Sequence, residues 1–536
     1  MGDRWDYRAA GLWRDTTYLD DFLEIVADAP DAMAIVDYGR GHDEAIRLTY
    51  GELAQRVDRI AGGLQHLGVQ PGQVVSLQLP NWWEFPAVVL ACARIGAVLN
   101  PLVPIFRARE LRFMLARTAS PVCIVPTQFR GFDHAALLQQ LQPDLPDLLH
   151  PLTVGDSFAS TLLEAPWEDE LLPHPIGADE VAEIQFTSGT TGEPKGVVHT
   201  PNTIGAAAWA MADTLGLDCD DVVLMSSTLA HQTGFLYGVV MALARGMKVV
   251  YQDVWDADEA LHICEDELVT FTMGSTTFLL DLVAAQRRRN QPPPASLRYF
   301  CCAGAPIPSP LVHEARQRLQ LEVVAAWGMT ENGAVTLTRP GDPVEVVANS
   351  DGMAARGMEV RVVHDCDSDG GVRTIPFGTV GRLQVRGAQQ TLGYYQRPDL
   401  YTDCLSPAED EGPAWFDSGD LALARADGSI RISGRSKDLI IRGGENVPVA
   451  EVEGALFAHP QVREVAIIGR PDERLGERAC AVVVAEGEAP TLAQLTAHLD
   501  AAGMAKQFWP ESLLVVAEMP KTPSGKIQKY LLRQQL

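Results

Sequence analysis

The sequence predicts an α/β protein with a large N-terminal domain, residues 1–434, and a small C-terminal domain, residues 435–536. The first observation is that strand-like apolar runs alternate with helix-like runs through about the first 400 residues, which is typical of layered, largely parallel sheets. The second observation is a break in charge. Of the net charge of −27, the first 434 residues carry −26, whereas the rest holds 12 Lys or Arg and 13 Asp or Glu. The boundary is therefore predicted between Gly434 and Arg435.

The first clear pair of strand and helix lies near residue 80. Val74–Leu79 is rich in strand-forming residues, and the apolar spacing of Trp82–Ile95 favours a helix that ends at Gly96. The same alternation predicts strands at Pro121–Pro126, Val222–Met225, Leu268–Met273 and Leu297–Cys302, and a helix at Thr276–Arg289.

Composition excludes several functional classes. Apolar residues make up 46% of the chain and charged residues 21%, which is enough to bury large cores. The net charge of −27 lacks the basic footprint of a nucleic-acid-binding protein, and it disfavours adsorption to anionic membranes. We therefore expect no nucleic acid among the partners.

No segment has the pattern of an export signal or a membrane span. Met1–Asp6 lacks an apolar core, and the apolar stretches Phe85–Phe106 and Gly234–Tyr251 are interrupted by charges such as Arg94 and Arg245. Both stretches are predicted to be buried helices. The nine cysteines show no CxxC or Cys/His zinc spacing, which favours reduced thiols without a zinc site. We expect a soluble, cytoplasmic protein.

A loop rich in Gly, Ser and Thr carries the strongest local signal. Thr187–Gly196 lies between the strand-like runs Val181–Phe186 and Val197–His199, and its glycines, hydroxyls and single lysine are suited to a triphosphate. The Walker A pattern is not met, because Lys195 precedes Gly196 and a strand follows, so a P-loop kinase is disfavoured. The alternative is a flexible surface loop. The predicted ATP-binding residues of this loop are Thr187, Ser188, Gly189, Thr190, Thr191, Gly192 and Lys195.

The loop resembles the phosphate-binding signature of the adenylate-forming superfamily, which includes acyl-CoA synthetases, carrier-protein adenylation domains and luciferases. Further motifs of that superfamily follow in order, and the resemblance covers nearly the whole chain. They are Leu48–Leu53, Gly304–Pro306, Trp327–Glu331, Trp415–Asp420, Gly434–Ile440, Gly443–Val447 and Pro520–Ile527. The resemblance implies layered α/β sheets plus a distorted barrel in the large domain and a small, mobile α+β C-terminal domain.

The resemblance also implies a nucleotide site. Trp327 would stack on the adenine, although the family usually has Tyr there, and Thr330 would donate to the α-phosphate. Glu331 is implied to hold Mg²⁺ together with Thr190, since Mg²⁺ favours one or two carboxylates plus phosphate oxygens. The other ATP contacts implied are Gly304, Ala305, Pro306, Gly328, Met329, Asp420, Arg435 and Lys526.

Asp420 and Arg435 match the residues that grip the ribose hydroxyls in the superfamily. Taken alone, an Asp after Ser-Gly is more often a turn residue. Lys526 matches the catalytic lysine, whose ammonium would stabilise charge on the α-phosphate during transfer. A lone Lys near a C-terminus is otherwise a solvated charge.

Other residues of the C-terminal domain are implied to serve a second half-reaction. Lys437 matches the hinge at which that domain rotates, and Gly443 and Gly444 match the loop beside the CoA pantetheine channel. Arg442 is a candidate for a phosphate contact on the CoA side, with a solvated arginine as the alternative.

The acyl site is predicted around Ser226–Phe235. His231 matches the position near the substrate carboxylate, whereas in isolation it would be a buried core histidine. The amino-acid sequence of this segment resembles that of ligases for short-chain, medium-chain and alicyclic acids of the cyclohexanecarboxylate–CoA ligase kind. The candidate pocket residues are His231, Phe235, Met273, Gly274 and Ser275.

The function implied is an ATP-dependent carboxylate–CoA ligase with Mg²⁺ as cofactor and a carboxylic acid, ATP and CoA as substrates. One alternative is a stand-alone adenylation enzyme that loads a carrier protein. Another is a non-catalytic AMP-binding module, which should have lost Lys526 or Glu331, yet both are present. The identity of the acid stays open, as does the oligomeric state, for which a homodimer is one choice.

Overall fold

The computed structural model describes residues 5–39, 44–187, 193–289, 291–305, 307–364, 375–435, 440–442, 445–472, 475–521 and 527–534. Its α-helices are α1 (Tyr18–Asp28), α2 (Tyr50–His66), α3 (Glu84–Arg94), α4 (Ala108–Thr118), α5 (His134–Leu141), α6 (Ser157–Leu162), α7 (Pro201–Leu215), α8 (Met241–Ala244), α9 (Ala257–Asp266), α10 (Thr276–Arg288), α11 (Ser309–Leu319), α12 (Val344–Asn349), α13 (Pro398–Thr402), α14 (Val449–Phe457), α15 (Leu492–Ala501) and α16 (Lys529–Arg533).

The strands of the described chain alternate with these helices. They are β1 (Met33–Asp37), β2 (Ile46–Thr49), β3 (Val74–Leu77), β4 (Val98–Pro101), β5 (Val122–Pro126), β6 (Gln128–Phe129), β7 (Phe132–Asp133), β8 (His150–Val154), β9 (Glu183–Thr187), β10 (Lys195–His199), β11 (Val222–Met225), β12 (Lys248–Tyr251), β13 (Phe271–Gly274), β14 (Tyr299–Cys302), β15 (Glu322–Met329), β16 (Gly333–Leu337), β17 (Met353–Ala354), β18 (Met358–Val363), β19 (Val380–Gly387), β20 (Gly393–Tyr394), β21 (Leu405–Ser406), β22 (Trp415–Ala424), β23 (Ile430–Arg435), β24 (Ile440–Arg442), β25 (Glu445–Val447), β26 (Val462–Asp472), β27 (Gly476–Ala485) and β28 (Ser512–Val515).

Two large sheets form the body of the protein. One has the order β17-β16-β15-β14-β13-β11-β12-β1-β2, and the other has the order β20-β10-β9-β4-β3-β5-β8. The strands from β15 to β1 in the first sheet run parallel, as do β9, β4, β3, β5 and β8 in the second. Both sheets therefore confirm the predicted α/β layering.

Helices separate and flank the two sheets because successive strand residues point to opposite faces. Ile35 packs into an apolar cluster shared with α3, α7 and strands of both sheets, so these helices lie between the sheets. Its neighbour Val36 packs instead with α9, α10 and α11 on the outer face. Helices α4 and α5 cover the outer face of the second sheet. The result is five alternating layers of helices and sheets.

The apolar stretches Phe85–Phe106 and Gly234–Tyr251 are largely buried within these layers, and each is helical at first and then forms a strand, β4 or β12, rather than the continuous helix predicted. Every residue of Glu84–Ala93 in α3 is buried, and Gly234–Val240 forms a buried π-helix that continues into α8. Within the described residues, none of the helices is long and apolar enough to cross a membrane.

Strands β18, β19, β21, β22 and β23 form an antiparallel sheet that follows the two large ones. The C-terminal residues form a separate sheet from the long β26–β27 hairpin, the β24–β25 pair and the parallel strand β28. Apolar clusters cover the two faces of this sheet, one of them formed with α14 and α15 and the other with α16. The predicted fold class is confirmed, while the domain boundary at residue 434 stays a prediction.

Local geometry shifts the ends of several predicted elements. The strand predicted from Leu268 begins at Phe271, because Leu268 adopts a left-handed φ of 56° that a strand cannot contain. The helix predicted from Trp82 begins at Glu84, and the backbone N–H of the preceding Trp83 donates to the Asp37 carboxylate at 2.9 Å.

Candidate functional site

The predicted phosphate loop joins two strands at the edge of the second large sheet. β9 and β10 are antiparallel, and their register pairs Thr187 with Lys195. The strand after the loop confirms that this is not a P-loop, which a helix would follow. Gly196 lies where a Cβ would come within 2.9 Å of Ile184 Cγ2, so the close approach of β9 and β10 requires a glycine. The loop residues Ser188, Gly189, Thr190, Thr191 and Gly192 lie outside the described residues.

Lys195 stands at the end of this loop with its ammonium group over an aromatic ring. Its Nζ lies 4.6 Å from the centroid of Tyr394, which belongs to β20 and so to the strand paired with β10. The face of an aromatic ring attracts a cation, which constrains the direction of the lysine side chain. The side chain is therefore oriented beside the loop.

The same tyrosine reaches the predicted metal ligand. Tyr394 Oη donates to Glu331 Oε1 at 2.8 Å, and the backbone N–H of Thr391 donates to the Glu331 carbonyl at 2.8 Å. Burial and the neighbouring carboxylate of Glu331 raise the pKa of Tyr394 well above its usual value, so its hydroxyl keeps the proton. A donor on one carboxylate oxygen is a typical outer contact of a metal-ligating carboxylate. The geometry of Glu331 thus fits a Mg²⁺ ligand.

A buried histidine that the sequence did not indicate fixes the neighbouring Thr330. His199 ends β10, and its Nε2 lies 2.8 Å from the Thr330 carbonyl oxygen, to which it donates. Burial lowers the pKa of His199 to about 4, so the ring is neutral and its Nδ1 accepts from the Thr203 hydroxyl at 3.0 Å. The only signal in the sequence was a histidine at the end of an apolar strand.

Trp327 and Asp420 are joined by a direct hydrogen bond. Trp327 Nε1 donates to Asp420 Oδ2 at 2.9 Å, and both side chains are buried. Asp420 lies inside β22, where its backbone pairs with Arg435 of β23, so its interpretation as a turn residue is wrong. The two residues predicted to hold the ribose are therefore neighbours across two strands.

The predicted adenine-side residues emerge from the same sheet edge as the Trp327 motif. Gly304 and Ala305 follow β14, which is parallel to β15, and the Thr276 hydroxyl donates to the Ala305 carbonyl at 3.3 Å. Gly328 lies where a Cβ would come within 1.9 Å of the Gly333 carbonyl oxygen, so only glycine fits the β15–β16 hairpin here. Met329 ends β15, and Pro306 lies outside the described residues.

An asparagine that the sequence did not indicate, Asn81, holds the backbone of the predicted acyl segment. Asn81 Nδ2 donates to the carbonyls of Met225 at 3.2 Å and Ser227 at 3.0 Å, while its Oδ1 accepts from the backbone N–H of Leu229 at 2.9 Å. Because a buried amide must use its donors and its acceptor, these contacts fix the chain immediately before His231.

His231 lies at a turn that leads into the π-helix Gly234–Val240. Its carbonyl accepts from the N–H of Phe235 at 2.9 Å. A Cβ on Gly234 would come within 2.2 Å of a backbone oxygen, which explains the glycine at this turn. π-Helices are rare and occur often at functional sites. Phe235 is buried, as expected for a pocket wall.

The other predicted wall is tied to this segment from β13. Ser227 Oγ donates to the carbonyl of Met273 at 3.1 Å. Gly274 and Ser275 follow Met273 at the end of β13, and all three residues are buried. The hydroxyl oxygen of Ser275 has no hydrogen-bond partner in the described part of the chain. Both groups of candidate pocket residues are therefore brought together.

The residues predicted on the CoA side are only partly described. Arg442 ends β24 and forms an ion pair with Glu511, with Nη2 2.8 Å from Oε1. Its side chain is therefore only partly exposed, and its contact with CoA stays a prediction. Gly443, Gly444, Lys437 and Lys526 lie outside the described residues. A backbone bridge pairs Lys521 with Ile527, the described residues nearest to Lys526 on either side.

Two family models match the chain. The model described as AMP-binding enzyme matches residues 22–395, and the model described as AMP-binding enzyme C-terminal domain matches residues 451–526. The chain belongs to the AMP-binding enzyme family. Membership confirms the resemblance to the adenylate-forming superfamily and the prediction that the chain is an enzyme.

Relatives of this AMP-binding enzyme activate several kinds of acid. It is 35% identical to the medium-chain fatty-acid–CoA ligase of Escherichia coli, over 99% of this chain and 92% of that protein. It is 33% identical to the salicyl-AMP ligase/salicyl-S-ArCP synthetase of Mycobacterium tuberculosis, over 99% and 92%. The crystal structure of ATP-bound MatB from Rhodopseudomonas palustris superposes with a TM-score of 0.85 at 26% identity, covering 97% of this chain and 99% of that one.

Proposed function

We propose that the protein is a carboxylate–CoA ligase that works in two steps. In the first step a carboxylate oxygen attacks the α-phosphorus of ATP, the bond to the β-phosphate oxygen breaks, and pyrophosphate leaves. In the second step the CoA thiolate attacks the acyl carbon, the bond to the AMP oxygen breaks, and acyl-CoA and AMP form. Neither step needs a nucleophile from the protein.

The observation that carries this proposal is the arrangement around Thr330. On one side of it, Trp327 and Asp420 are joined, which suits an adenine and its ribose. On the other side, Tyr394 orients Glu331 and lies under Lys195, which suits a metal and phosphates. Thr330, whose backbone carbonyl accepts from the buried His199, lies between Trp327 and Glu331 in the sequence, and we propose that its hydroxyl donates to the α-phosphate.

The first step would depend on charge neutralisation. Negative charge grows on the α-phosphate oxygens during transfer, and a preorganised cation stabilises it. Thr330 would donate to that phosphate, Lys526 would supply the cation, and His231 would orient the attacking carboxylate. Mg²⁺ bound at Glu331 and Thr190 would neutralise further phosphate charge.

The second step would follow a rotation of the C-terminal domain about Lys437. Hinges of this kind are a few residues that absorb a large change in φ and ψ. The rotation would exchange the Lys526 loop for Gly443 and Gly444 at the active site. Arg442 would then contact a CoA phosphate, in exchange for its present ion pair with Glu511.

We propose a short- or medium-chain, alicyclic or aromatic acid as substrate. The similarity to the medium-chain ligase of Escherichia coli supports an aliphatic acid as substrate. The amino-acid sequence around His231 supports a cyclohexanecarboxylate-like acid. One methylene in an apolar pocket changes discrimination by only about 1–3 kcal/mol, so the choice within this group needs a direct assay.

The second candidate is an adenylation enzyme that transfers the acyl group to a carrier protein. The relative in Mycobacterium tuberculosis, named a salicyl-AMP ligase and salicyl-S-ArCP synthetase, favours it. The two candidates share the first step and differ only in the thiol that accepts the acyl group.

The test is a screen for pyrophosphate release over straight-chain, alicyclic and aromatic acids, with and without CoA. We expect at least one acid to stimulate pyrophosphate release and CoA to allow many turnovers with formation of acyl-CoA. Turnover with a phosphopantetheinyl carrier protein but not with CoA would support the second candidate instead. No acid-dependent pyrophosphate release would contradict both.

A further inference from the structure

Glu183 is a completely buried carboxyl group in the strand that leads to the phosphate loop. It is the first residue of β9 and has no exposed surface, and neither of its carboxyl oxygens has a hydrogen-bond partner among the described residues. An ionised carboxylate left without partners inside a protein is strongly unfavourable. The proposed reaction gives this group no role, so its presence needs an explanation.

Two glutamine side chains beside Glu183 also have unsatisfied oxygens. Gln185 lies two residues along β9, on the same face, and its Nε2 donates to the carbonyl of Ala230 at 3.2 Å. Gln232 lies against Glu183 itself. The Oε1 atoms of both glutamines are buried without a donor in the described structure. The cluster thus contains four buried acceptor oxygens without a donor among the described residues.

Burial raises the pKa of Glu183 to about 8, and the nearby Gln232 amide offsets only part of that increase. At neutral pH the group therefore carries a proton. A carboxylic acid and a primary amide complement each other, because each offers one donor and one acceptor in the same plane. Two hydrogen bonds between them would satisfy both Glu183 oxygens and Gln232 Oε1.

The other titratable groups near Glu183 do not supply the missing donor. Tyr18 of α1 lies near enough for the charge of Glu183 to affect its pKa, but its hydroxyl makes no hydrogen bond to either carboxyl oxygen in the described structure. His199 is its cross-strand partner in β10, but both ring nitrogens of His199 are engaged, with Thr203 and Thr330. Within the described part of the chain, no cation lies close enough to Glu183 to lower its pKa.

We propose that Glu183 is a neutral carboxylic acid that positions the acyl segment. Its O–H donates to Gln232 Oε1, and Gln232 Nε2 donates back to its carbonyl oxygen. Together with the bond from Gln185 to Ala230, this pair holds the chain on both sides of His231 against β9. Glu183 would touch no substrate, and its effect on the reaction through His231 rests on the proposed function.

The proposal predicts a stability that falls as pH rises. The folded pKa of Glu183, about 8, lies above the value of 4.5 for an unperturbed Glu. The stability that the proton supplies is complete below about pH 4.5 and is lost as pH rises through about 8. Ionisation also removes the donor to Gln232, so the position of His231 should loosen in the same range.

The first test needs no substrate. Glu183→Gln can make both hydrogen bonds but cannot ionise, and it is the matched control for the wild type. Between about pH 6 and about pH 9.5 we expect the thermal midpoint of the wild type to fall by several degrees more than that of Glu183→Gln. We also expect a buried carboxylic acid C=O stretch in the infrared spectrum at pH 6 that Glu183→Gln lacks. Equal pH dependence of the two proteins, or no such band, would overturn the proposal.

The second test separates positioning from simple stability. In acid-dependent pyrophosphate release, the rate of the wild type should fall above about pH 8, the rate of Glu183→Gln should stay level there, and Glu183→Ala should be at least about tenfold slower at all pH values. If both variants followed the wild-type profile, the positioning role would be wrong. If no acid gave any release while the midpoint and infrared results held, the proposed function would fail and the neutral Glu183 would stand.

Discussion

Lys526→Ala is expected to slow acyl-adenylate formation by about 10³-fold, because removal of one preorganised donor to a charged transition state costs about 10²–10³-fold in rate. The strands of the C-terminal sheet, β24 to β28, all end before Lys526. The Lys526→Ala change should therefore leave the fold of this sheet in place, and the thermal midpoint should not change.

The measurement is the rate of acid-dependent pyrophosphate release, with Lys506→Ala as the matched control. Lys506 is an exposed lysine of the same C-terminal region, and its ammonium contacts the Trp509 ring at 5.5 Å, outside the predicted site. Lys506→Ala should retain the wild-type rate. Thiolysis of supplied acyl-adenylate by CoA should also survive in Lys526→Ala. An unchanged rate of pyrophosphate release in Lys526→Ala would refute the assignment of the catalytic lysine.

Glu331→Gln is expected to slow the same step by about 10²-fold and to raise the Mg²⁺ concentration needed for half-maximal rate. The amide keeps the shape of the side chain, and its oxygen can still accept from Tyr394, so the fold should be preserved. What is lost is the negative charge that a divalent cation favours in a ligand.

Tyr394→Phe is the matched control for that experiment. It removes one hydrogen bond to Glu331 but keeps the aromatic ring below Lys195. A hydrogen bond to a charged group is worth about 1.5–3 kcal/mol, and because Glu331 keeps its charge in this variant we expect the lower end of that range, about tenfold, which is smaller than the effect of Glu331→Gln. If Glu331→Gln showed the wild-type dependence on Mg²⁺, the carboxylate would not be a metal ligand.

The fold could be predicted from the sequence because each layer leaves a local pattern. Buried strands such as Val222–Met225 appear as short apolar runs in the sequence. The helix predicted at Thr276–Arg289 is α10, which begins at Thr276 and ends at Arg288. Element ends were less predictable, since they depend on single backbone conformations such as the left-handed Leu268.

The candidate site was predictable only where a motif is contiguous. Trp327, Thr330 and Glu331 lie within one short run, so the sequence could indicate them together. Their partners lie far along the chain: Tyr394 is 63 residues from Glu331, and Asp420 is 93 residues from Trp327. Only Asp420 has a motif of its own, which is why the sequence pointed to it and missed Tyr394.

The two other residues that the sequence did not indicate form hydrogen bonds with backbone carbonyls far away in the sequence. Asn81 holds the carbonyl of Ser227 from 146 residues away, and His199 holds that of Thr330 from 131 residues away. A contact between a side chain and a distant backbone carbonyl leaves no spacing rule in the sequence. Such contacts become visible only when the two sheets are packed together.

The geometry of the candidate site changes what can be inferred from the net charge. The excess of acidic residues argued against nucleic acids and anionic membranes as partners. ATP, however, would be bound by the particular residues that contact it, and the average charge of the protein would not decide that binding. Lys195 is oriented by Tyr394 beside the phosphate loop, and the buried Glu331 fits a cation that would itself neutralise phosphate. Local geometry therefore outweighs the global value of −27.

The central claim is that a carboxylate oxygen becomes bonded to the α-phosphorus of ATP. The most direct measurement is the fate of ¹⁸O from a carboxyl-labelled substrate acid, turned over with ATP, Mg²⁺ and CoA and analysed by mass spectrometry. The account predicts one labelled oxygen in each AMP released and none in pyrophosphate. Label in inorganic phosphate together with ADP, which an acyl phosphate would give, or AMP without label would contradict it.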